Sequence, residues 1–298
     1  MMNLKQGRYY GVFPILATPF DAQGEVDYES LRRLMRFEIN AGIHGLGLFG
    51  NASEGYALTE PERENILAIV KEESQGKLPL IISSGNKDLE TAVRLSKRAE
   101  KDGAAALMVM AQQPEGKTVY DYYAAIASAV NVPIMIQDAP IASGVQVPAE
   151  TVGRLVREFE NIQYIKVEAP PTIVKCAEVL DATQGEITMF GGLNSVYMYE
   201  EMEHGCVGTM PACEFPEIVV AIFDAYQNGD KEKAREIFVR HLPLFRMGTL
   251  PGYAMSIHKD ILRRRGVTST GAVRKPNNSL PDCLIPDVEL LMKELEII

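Results

Sequence analysis

A lysine and a glutamate two residues apart, set in an otherwise apolar run, are the side chains of this sequence best placed to do chemistry. The run is Ile162-Gln163-Tyr164-Ile165-Lys166-Val167-Glu168, mostly β-branched or aromatic and closed by Pro170-Pro171. Its make-up predicts a short buried β-strand. Side chains at i and i+2 of a strand point to one face. Lys166 and Glu168 therefore share a face with Tyr164, while Ile165 and Val167 take the other. Lysine is rarely buried without a partner. Burial disfavours the ammonium, and the neutral amine that results attacks carbonyl carbon. One reading is a lysine that forms a Schiff base. Two others need no chemistry: an edge-strand lysine in water, or a buried Lys–Glu ion pair.

Other strand ends add small and polar residues. They are Gly50-Asn51-Ala52-Ser53-Glu54-Gly55, Ser83-Ser84-Gly85-Asn86, Gln137-Asp138-Ala139-Pro140 and Gly191-Gly192-Leu193-Asn194. In the first, successive backbone N–H groups could turn toward one point and hold a carboxylate, or it is a plain tight turn. In the last, glycine permits close backbone approach to a ligand. Such a rim around one lysine suits a small oxygen-rich molecule. Histidines 44, 204, 241 and 258 show no metal-ligand spacing and read as surface or satisfied helix residues. Nucleophile-elbow, P-loop and dinucleotide-binding glycine motifs are absent. Tyr120-Asp121-Tyr122-Tyr123 reads as one helix's packing and rim.

The elements that must position these residues alternate regularly. Eight apolar runs, at Val12–Ala17, Gly45–Phe49, Leu80–Ser83, Ala106–Met110, Ile134–Gln137, Ile162–Val167, Ile187–Phe190 and Cys206–Met210, predict strands. Between and after them lie helical spacings at Tyr28–Ala41 (Leu31, Leu34, Met35 and Ile39 apolar), Thr59–Glu73, Leu89–Asp102, Thr118–Val130, Pro148–Glu160, Ile173–Ala182, Ser195–Glu203 and Phe215–Gln227. Thr59-x-x-Glu62 with Pro61 predicts a capped helix start. Strands alternating with helices imply a parallel sheet, and eight such units predict an α/β chain folded as a (β/α)8 TIM barrel over residues 1–228. An open doubly wound sheet is the competitor. Residues 229–298 read as helices only, Lys231–Phe245, Tyr253–Arg265 and Pro286–Ile298, with a loop over Gly266–Pro281: a C-terminal helical extension packed on the barrel. Arg263-Arg264-Arg265 reads as a solvated helix end.

Composition narrows the classes. The 298 residues are 46% hydrophobic and 23% charged, with a formal charge of −10, which disfavours a nucleic-acid partner. No run reaches the ~18 apolar residues of a membrane span, and the segment Met1 to Tyr10 has no signal-type apolar core. Cys176, Cys206, Cys213 and Cys283 match no metal or redox spacing and read as reduced packing residues of a cytoplasmic protein.

In this order of elements the chain resembles the dihydrodipicolinate synthase / N-acetylneuraminate lyase family over nearly its whole length. The matching pieces are Thr18-Pro19-Phe20, Gly50-Asn51-Ala52-Ser53-Glu54 at the family's Gly-x-x-Gly-Glu turn, Ile165-Lys166, Gly191-Gly192 and Gly205-Cys206-Val207-Gly208. The resemblance implies a barrel with C-terminal helices and a strand-six lysine, here Lys166, that forms a Schiff base with a 2-oxo acid. It also implies a homotetramer, a dimer of dimers, with no cofactor and no metal. Several family residues are replaced. The strand-five tyrosine that shuttles protons in a Tyr-Asn-x-Pro pattern is Gln137, and the synthases' arginine is matched by Ala142. The paired threonines of the strand-two turn are Asn51 and Ala52, its glycine is Ser53, and Gln112 and Gln113 lie where a tyrosine pair is missing.

A glutamine can orient but cannot titrate. Proton transfer then falls to Glu168, whose acid form an apolar wall would favour. The expected catalytic set is Lys166, Glu168 and Gln137, with Asn51, Ala52, Ser53, Gly192 and Asn194 binding substrate. This combination is similar to the family's 2-keto-3-deoxy sugar acid dehydratases, such as 2-keto-3-deoxyarabonate dehydratase. Pyruvate-dependent aldol cleavage is the next expectation, then dihydrodipicolinate synthesis. A silent barrel that only binds a keto acid is the alternative of another class.

Overall fold

The computed structural model of the chain describes residues 5–298. The first four residues of the expected barrel segment, part of the stretch read as lacking a signal core, lie outside them. Eight strands are present: β1 (Gly11–Val12), β2 (Leu46–Leu48), β3 (Leu80–Ser83), β4 (Ala106–Met110), β5 (Ile134–Asp138), β6 (Ile162–Val167), β7 (Thr188–Gly191) and β8 (Cys206–Thr209). They form one sheet in the order β1-β8-β7-β6-β5-β4-β3-β2, and the ladders from β3 through β8 are parallel. Ile15 is bridged in parallel to Gly47 on one side and to Ala212 on the other, so no free edge remains at the first strand. That is the closure a (β/α)8 barrel requires.

Helices follow the strands: α1 (Tyr28–Asn40), α2 (Glu60–Ser74), α3 (Leu89–Lys101), α4 (Val119–Ala127), α5 (Pro140–Ser143), α6 (Ala149–Glu158), α7 (Thr172–Ala182), α8 (Met198–Glu203) and α9 (Pro216–Gln227). Then come α10 (Lys231–Met247), α11 (Ala254–Arg264) and α12 (Ile285–Glu294). Thr59 caps α2 with the reciprocal bond to Glu62 that its spacing implied. Contacts divide the chain into two compact units. One comprises the chain up to Gly11 with Pro79–Leu193 and Tyr197–Met210; the other comprises Val12–Leu78, Asn194–Val196 and Pro211–Ile298.

Five expectations are corrected. The first run, Val12–Ala17, forms continuous strand only at Val12 and rejoins the sheet at Ile15 as an isolated bridge, because Pro14 between them has no N–H to donate. The helix expected from Ser195 starts at Met198, because Leu193, Asn194 and Ser195 hold φ of 43°, 52° and 61°, left-handed values that no right-handed helix accepts. On α1 the buried stripe is Leu31, Leu34, Met35 and Glu38, whereas Ile39 is 37% exposed. The i, i+3, i+4, i+7 row thus ends on a carboxylate. Cys283 is exposed, while Cys176 and Cys206 lie buried with their Sγ atoms 3.6 Å apart. Arg264 and Arg265 are not solvated. Arg264 pairs with Asp260 (2.6 Å) and Arg265 with Glu217 (2.6 Å).

Among the described residues no helix is long and apolar enough to cross a membrane. In the first unit, Glu201 of α8 is 1% exposed and lies against β7. A Cβ added at Gly191 would stand 1.9 Å from its Oε2. Burial pushes the Glu201 carboxyl up from 4.5 to about 8, with Glu168 and Glu200 adding to the shift while Thr172 and Lys166 oppose it. The unfolded chain therefore releases this proton well before the folded chain does. Its contribution to stability is complete below pH 4.5 and is lost as pH rises to about 8. Glu201→Gln is expected to flatten that part of the melting temperature–pH curve. The removed slope should be worth on the order of 3–5 kcal/mol across the window, as scanning calorimetry at pH 5 and pH 8 would read.

Candidate active site

β6 carries Lys166 into register with Gln137 on β5 and Phe190 on β7. The side chain of Lys166 is 4% exposed, and its Nζ lies 3.1 Å from Glu168 Oε1. The edge-strand reading of this lysine is therefore removed, and the ion pair is present. Glu168 sits just past the end of β6, where its own N–H donates to Asp138 O at 2.9 Å. Its carboxylate has further partners. Gln137 Nε2 donates to Oε2 at 2.8 Å, and the Leu193 N–H donates to Oε1 at 3.3 Å. Gly192 leaves the room this requires, since a Cβ there would come within 2.2 Å of Glu168 Cγ. The three expected catalytic residues and Gly192 are thus brought together in the first unit.

The neighbours of this cluster are spoken for. Asp138 accepts from Val147 N–H at 3.2 Å and pairs with Lys175 at 3.3 Å. Burial pushes the Asp138 carboxyl up, with Lys175 opposing. Tyr123 donates to Val109 O at 2.8 Å and Tyr122 to Asn86 O at 3.0 Å, so both act as packing, as the sequence implied. The groups of this cluster able to act as nucleophile and as acid–base are the Lys166 amine and the Glu168 carboxylate. The Lys166 amine and the Glu168 carboxylate, 3.1 Å apart, are within reach of direct proton exchange.

Asn51, Ala52, Ser53 and Asn194 lie in the second unit. The strand-two turn bonds to itself: Ser53 N–H to Gly50 O (3.1 Å), Glu54 N–H to Asn51 O (2.9 Å) and Gly55 N–H to Gly50 O (3.2 Å). The Asn51 and Ala52 N–H groups stay outside this bonding. The Ser53 hydroxyl is buried with no partner among the described residues. Thr18 fixes the Ser53 carbonyl through a 2.7 Å bond. Asn194 is committed to the fold. Its amide donates to Glu214 Oε1 (3.3 Å) and Phe245 O (3.2 Å), and it accepts from Ala212 N–H (3.0 Å). His258 is the satisfied histidine the sequence implied, 2.7 Å from Glu214. Glu54 and Lys259 form a second buried ion pair that sequence reasoning missed, with the Arg274 backbone N–H donating to the same carboxylate. No periodic signal marks Lys259, because the buried face of α11 carries charge where the pattern would leave it in water.

The sequence pattern of the Dihydrodipicolinate synthetase family matches residues 8–294. The L-2-keto-3-deoxyarabonate dehydratase of Azospirillum brasilense is 30% identical over 298 residues, covering 96% of this chain and 93% of that protein. A 4-hydroxy-tetrahydrodipicolinate synthase of Pelodictyon phaeoclathratiforme is 33% identical over 256 residues, 85% of this chain and 86% of that one. Among solved structures, the dihydrodipicolinate synthase of Thermotoga maritima superposes with a TM-score of 0.90 at 26% identity, covering 97% of this chain and 99% of that one. The chain belongs to the dihydrodipicolinate synthetase family, whose enzymes are lyases acting through a lysine Schiff base.

The clash at Gly192 gives a test that leaves the backbone alone, because the obstructing atoms belong to a flexible side chain. Gly192→Ala is expected to push the Glu168 carboxylate away from Lys166 and Gln137. Adduct formation on Lys166, followed by borohydride reduction, should slow by about tenfold, equivalent to ~1.4 kcal/mol. The melting temperature should stay within a few degrees of the parent.

Proposed function

We propose that this chain is a Schiff-base lyase that dehydrates a 2-keto-3-deoxy sugar acid. The observation that carries the reading is the Gln137–Glu168–Lys166 arrangement, 2.8 Å and 3.1 Å. It supplies one group able to exchange protons beside the amine and an amide where related enzymes have a phenol. Similarity to the Azospirillum brasilense dehydratase across 96% of the chain supports it.

In this reading Lys166 passes a proton to Glu168, and the free amine attacks the substrate's C2 carbonyl. Water leaves to give the iminium, which acidifies the C3 hydrogen. Glu168, returned to carboxylate, accepts that proton and an enamine forms. The enamine expels the C4 hydroxyl, which departs as water with a proton from Glu168. Hydrolysis of the imine frees the product and regenerates the amine. Gln137 orients the Glu168 carboxylate throughout. The substrate carboxylate is received by the Asn51 and Ala52 N–H groups and by the Ser53 hydroxyl. Gly192 leaves the space in which the Glu168 carboxylate lies, and Asn194 is read as a substrate contact through its backbone. Ala142 offers no charge to a second carboxylate, which suits a substrate ending in hydroxyl groups.

A second reading, pyruvate-dependent aldol chemistry, is favoured by the 33% identity to the Pelodictyon phaeoclathratiforme synthase. We further read residues 1–228 as the barrel, residues 229–298 as its helical appendage, and the protein as cytoplasmic and a dimer of dimers. A structure described as a monomeric dihydrodipicolinate synthase variant superposes with a TM-score of 0.88, so sedimentation velocity, rather than the fold, must decide the assembly.

Borohydride reduction in the presence of pyruvate or a 2-keto-3-deoxy acid, followed by peptide mass analysis, should place an adduct on Lys166. No adduct with any 2-oxo acid would leave only a silent binding barrel. Lys166→Ala should abolish turnover, and activity within a few-fold of the parent would end the mechanism. Glu168→Gln should cut turnover by about 100-fold or more, the usual worth of a positioned acid–base group, while adducts still form. A dioxo or semialdehyde acid product marks a dehydratase; pyruvate plus an aldehyde marks an aldolase.

A further inference from the structure

The strand-two turn is an unusual piece of backbone. Phe49 and Glu54, neither of them glycine, hold φ of 61° and 51° at its two ends, a region that side chains with a Cβ disfavour. The turn closes so tightly that a Cβ on Gly55 would stand 2.0 Å from Phe49 O. In the second unit this shape is held from outside through the side chain of Glu54. Its side chain is buried, with Oε1 on the Lys259 ammonium of α11. Oε2 accepts from the Arg274 N–H at 2.8 Å and from Asn277 Nδ2 at 2.7 Å.

Arg274 and Asn277 come from the segment between α11 and α12, which the sequence presents only as a glycine- and asparagine-rich loop. Here it acts as a strap. Lys259 also donates to Ala272 O at 2.9 Å. Arg274 reaches Gly24 O (2.8 Å), Ala57 O (3.0 Å) and Glu62 (2.6 Å). Phe20 is flanked by both cations, with Lys259 Nζ 3.9 Å and the Arg274 guanidinium 4.3 Å from its ring centre. Tyr56, next to the turn, donates to Asn277 Oδ1 at 2.9 Å. One carboxylate thus ties the backbone immediately after Ser53 to α11 and to the strap.

We propose that Glu54, clamped by Lys259 and by the strap residues Arg274 and Asn277, is a positioning residue that sets how the strand-two turn grips the substrate carboxylate. This rests on the reading of Asn51–Ser53 as the carboxylate contact. Glu54 touches no reactant in this arrangement. It acts by keeping the Asn51 and Ala52 N–H groups and the Ser53 hydroxyl aimed, so its loss falls on affinity. Covalent chemistry at Lys166 is left intact. The extension after α11 is accordingly part of substrate recognition.

The test follows pyruvate-dependent, borohydride-trapped adduct on Lys166 in the full chain, reading the half-saturating pyruvate concentration and the maximal extent separately. Glu54→Gln keeps the shape but removes the charge facing Lys259. It should raise the half-saturating concentration by about tenfold or more, as loss of hydrogen bonds to a charged group implies, with the maximal extent unchanged. Should Glu54→Gln fail to fold, Asn277→Ala, which removes a single donor, should still raise it by about threefold. Tyr56→Phe, which removes only the bond to Asn277 Oδ1, is the matched comparison and should shift it less. Half-saturation unchanged in both Glu54→Gln and Asn277→Ala, or a fall confined to the maximal extent, overturns the proposal. A parent chain that forms no adduct at all overturns the Schiff-base reading first and this inference with it.

Discussion

The structure depends on how a carboxylate is kept beside a buried amine. Glu168 solves this with several partners at once: the Lys166 ammonium, the Gln137 amide and the Leu193 N–H. A buried charge with one partner is poorly compensated, because removal from water costs more than a single attraction returns. Adding neutral hydrogen-bond donors changes the balance without adding another charge that would compete for the proton. Gln137 is well suited to this, since it donates firmly and never titrates. The glycine at position 192 belongs to the same solution. Its missing side chain is the space in which Glu168 lies.

The same demand recurs away from the site and is met in two ways. Some buried charges are paired: Glu54 with Lys259, Glu214 with His258, Asp138 with Lys175. Others are neutralised by holding a proton. Burial pushes Glu38, whose carboxyl oxygens have no hydrogen-bond partner among the described residues, well above the usual carboxylate range, and Glu201 up to about 8. Burial pulls Lys259 down to about 8, with Glu54 resisting. These groups give the barrel wall and its helical extension a dependence on pH that the exposed ion pairs of the surface do not share.

The strands of the parallel sheet were legible because both their faces are buried, so their apolar runs are continuous. β3, β4 and β6 begin and end where the sequence implied. Legibility failed where one residue's backbone overrode the pattern. Pro14 stops the first strand early, and three left-handed residues at Leu193–Ser195 delay α8. On α1 the register of the buried face was hidden by chemistry rather than geometry. Glu38 occupies the buried position, and a carboxylate there looks like surface.

The order and kind of the elements, the lysine near the end of strand six, the glutamine where relatives have tyrosine and the missing arginine are all written in the sequence, because each depends on near neighbours or on position along the chain. Tertiary structure alone decided the partners. Glu168 meets Gln137 across 31 residues of sequence, and Asn277 meets Glu54 across 223. Such pairings follow from strand register, loop path and the need to satisfy every buried charge. Hydrophobic periodicity reports which face of an element is buried but not what lies opposite it.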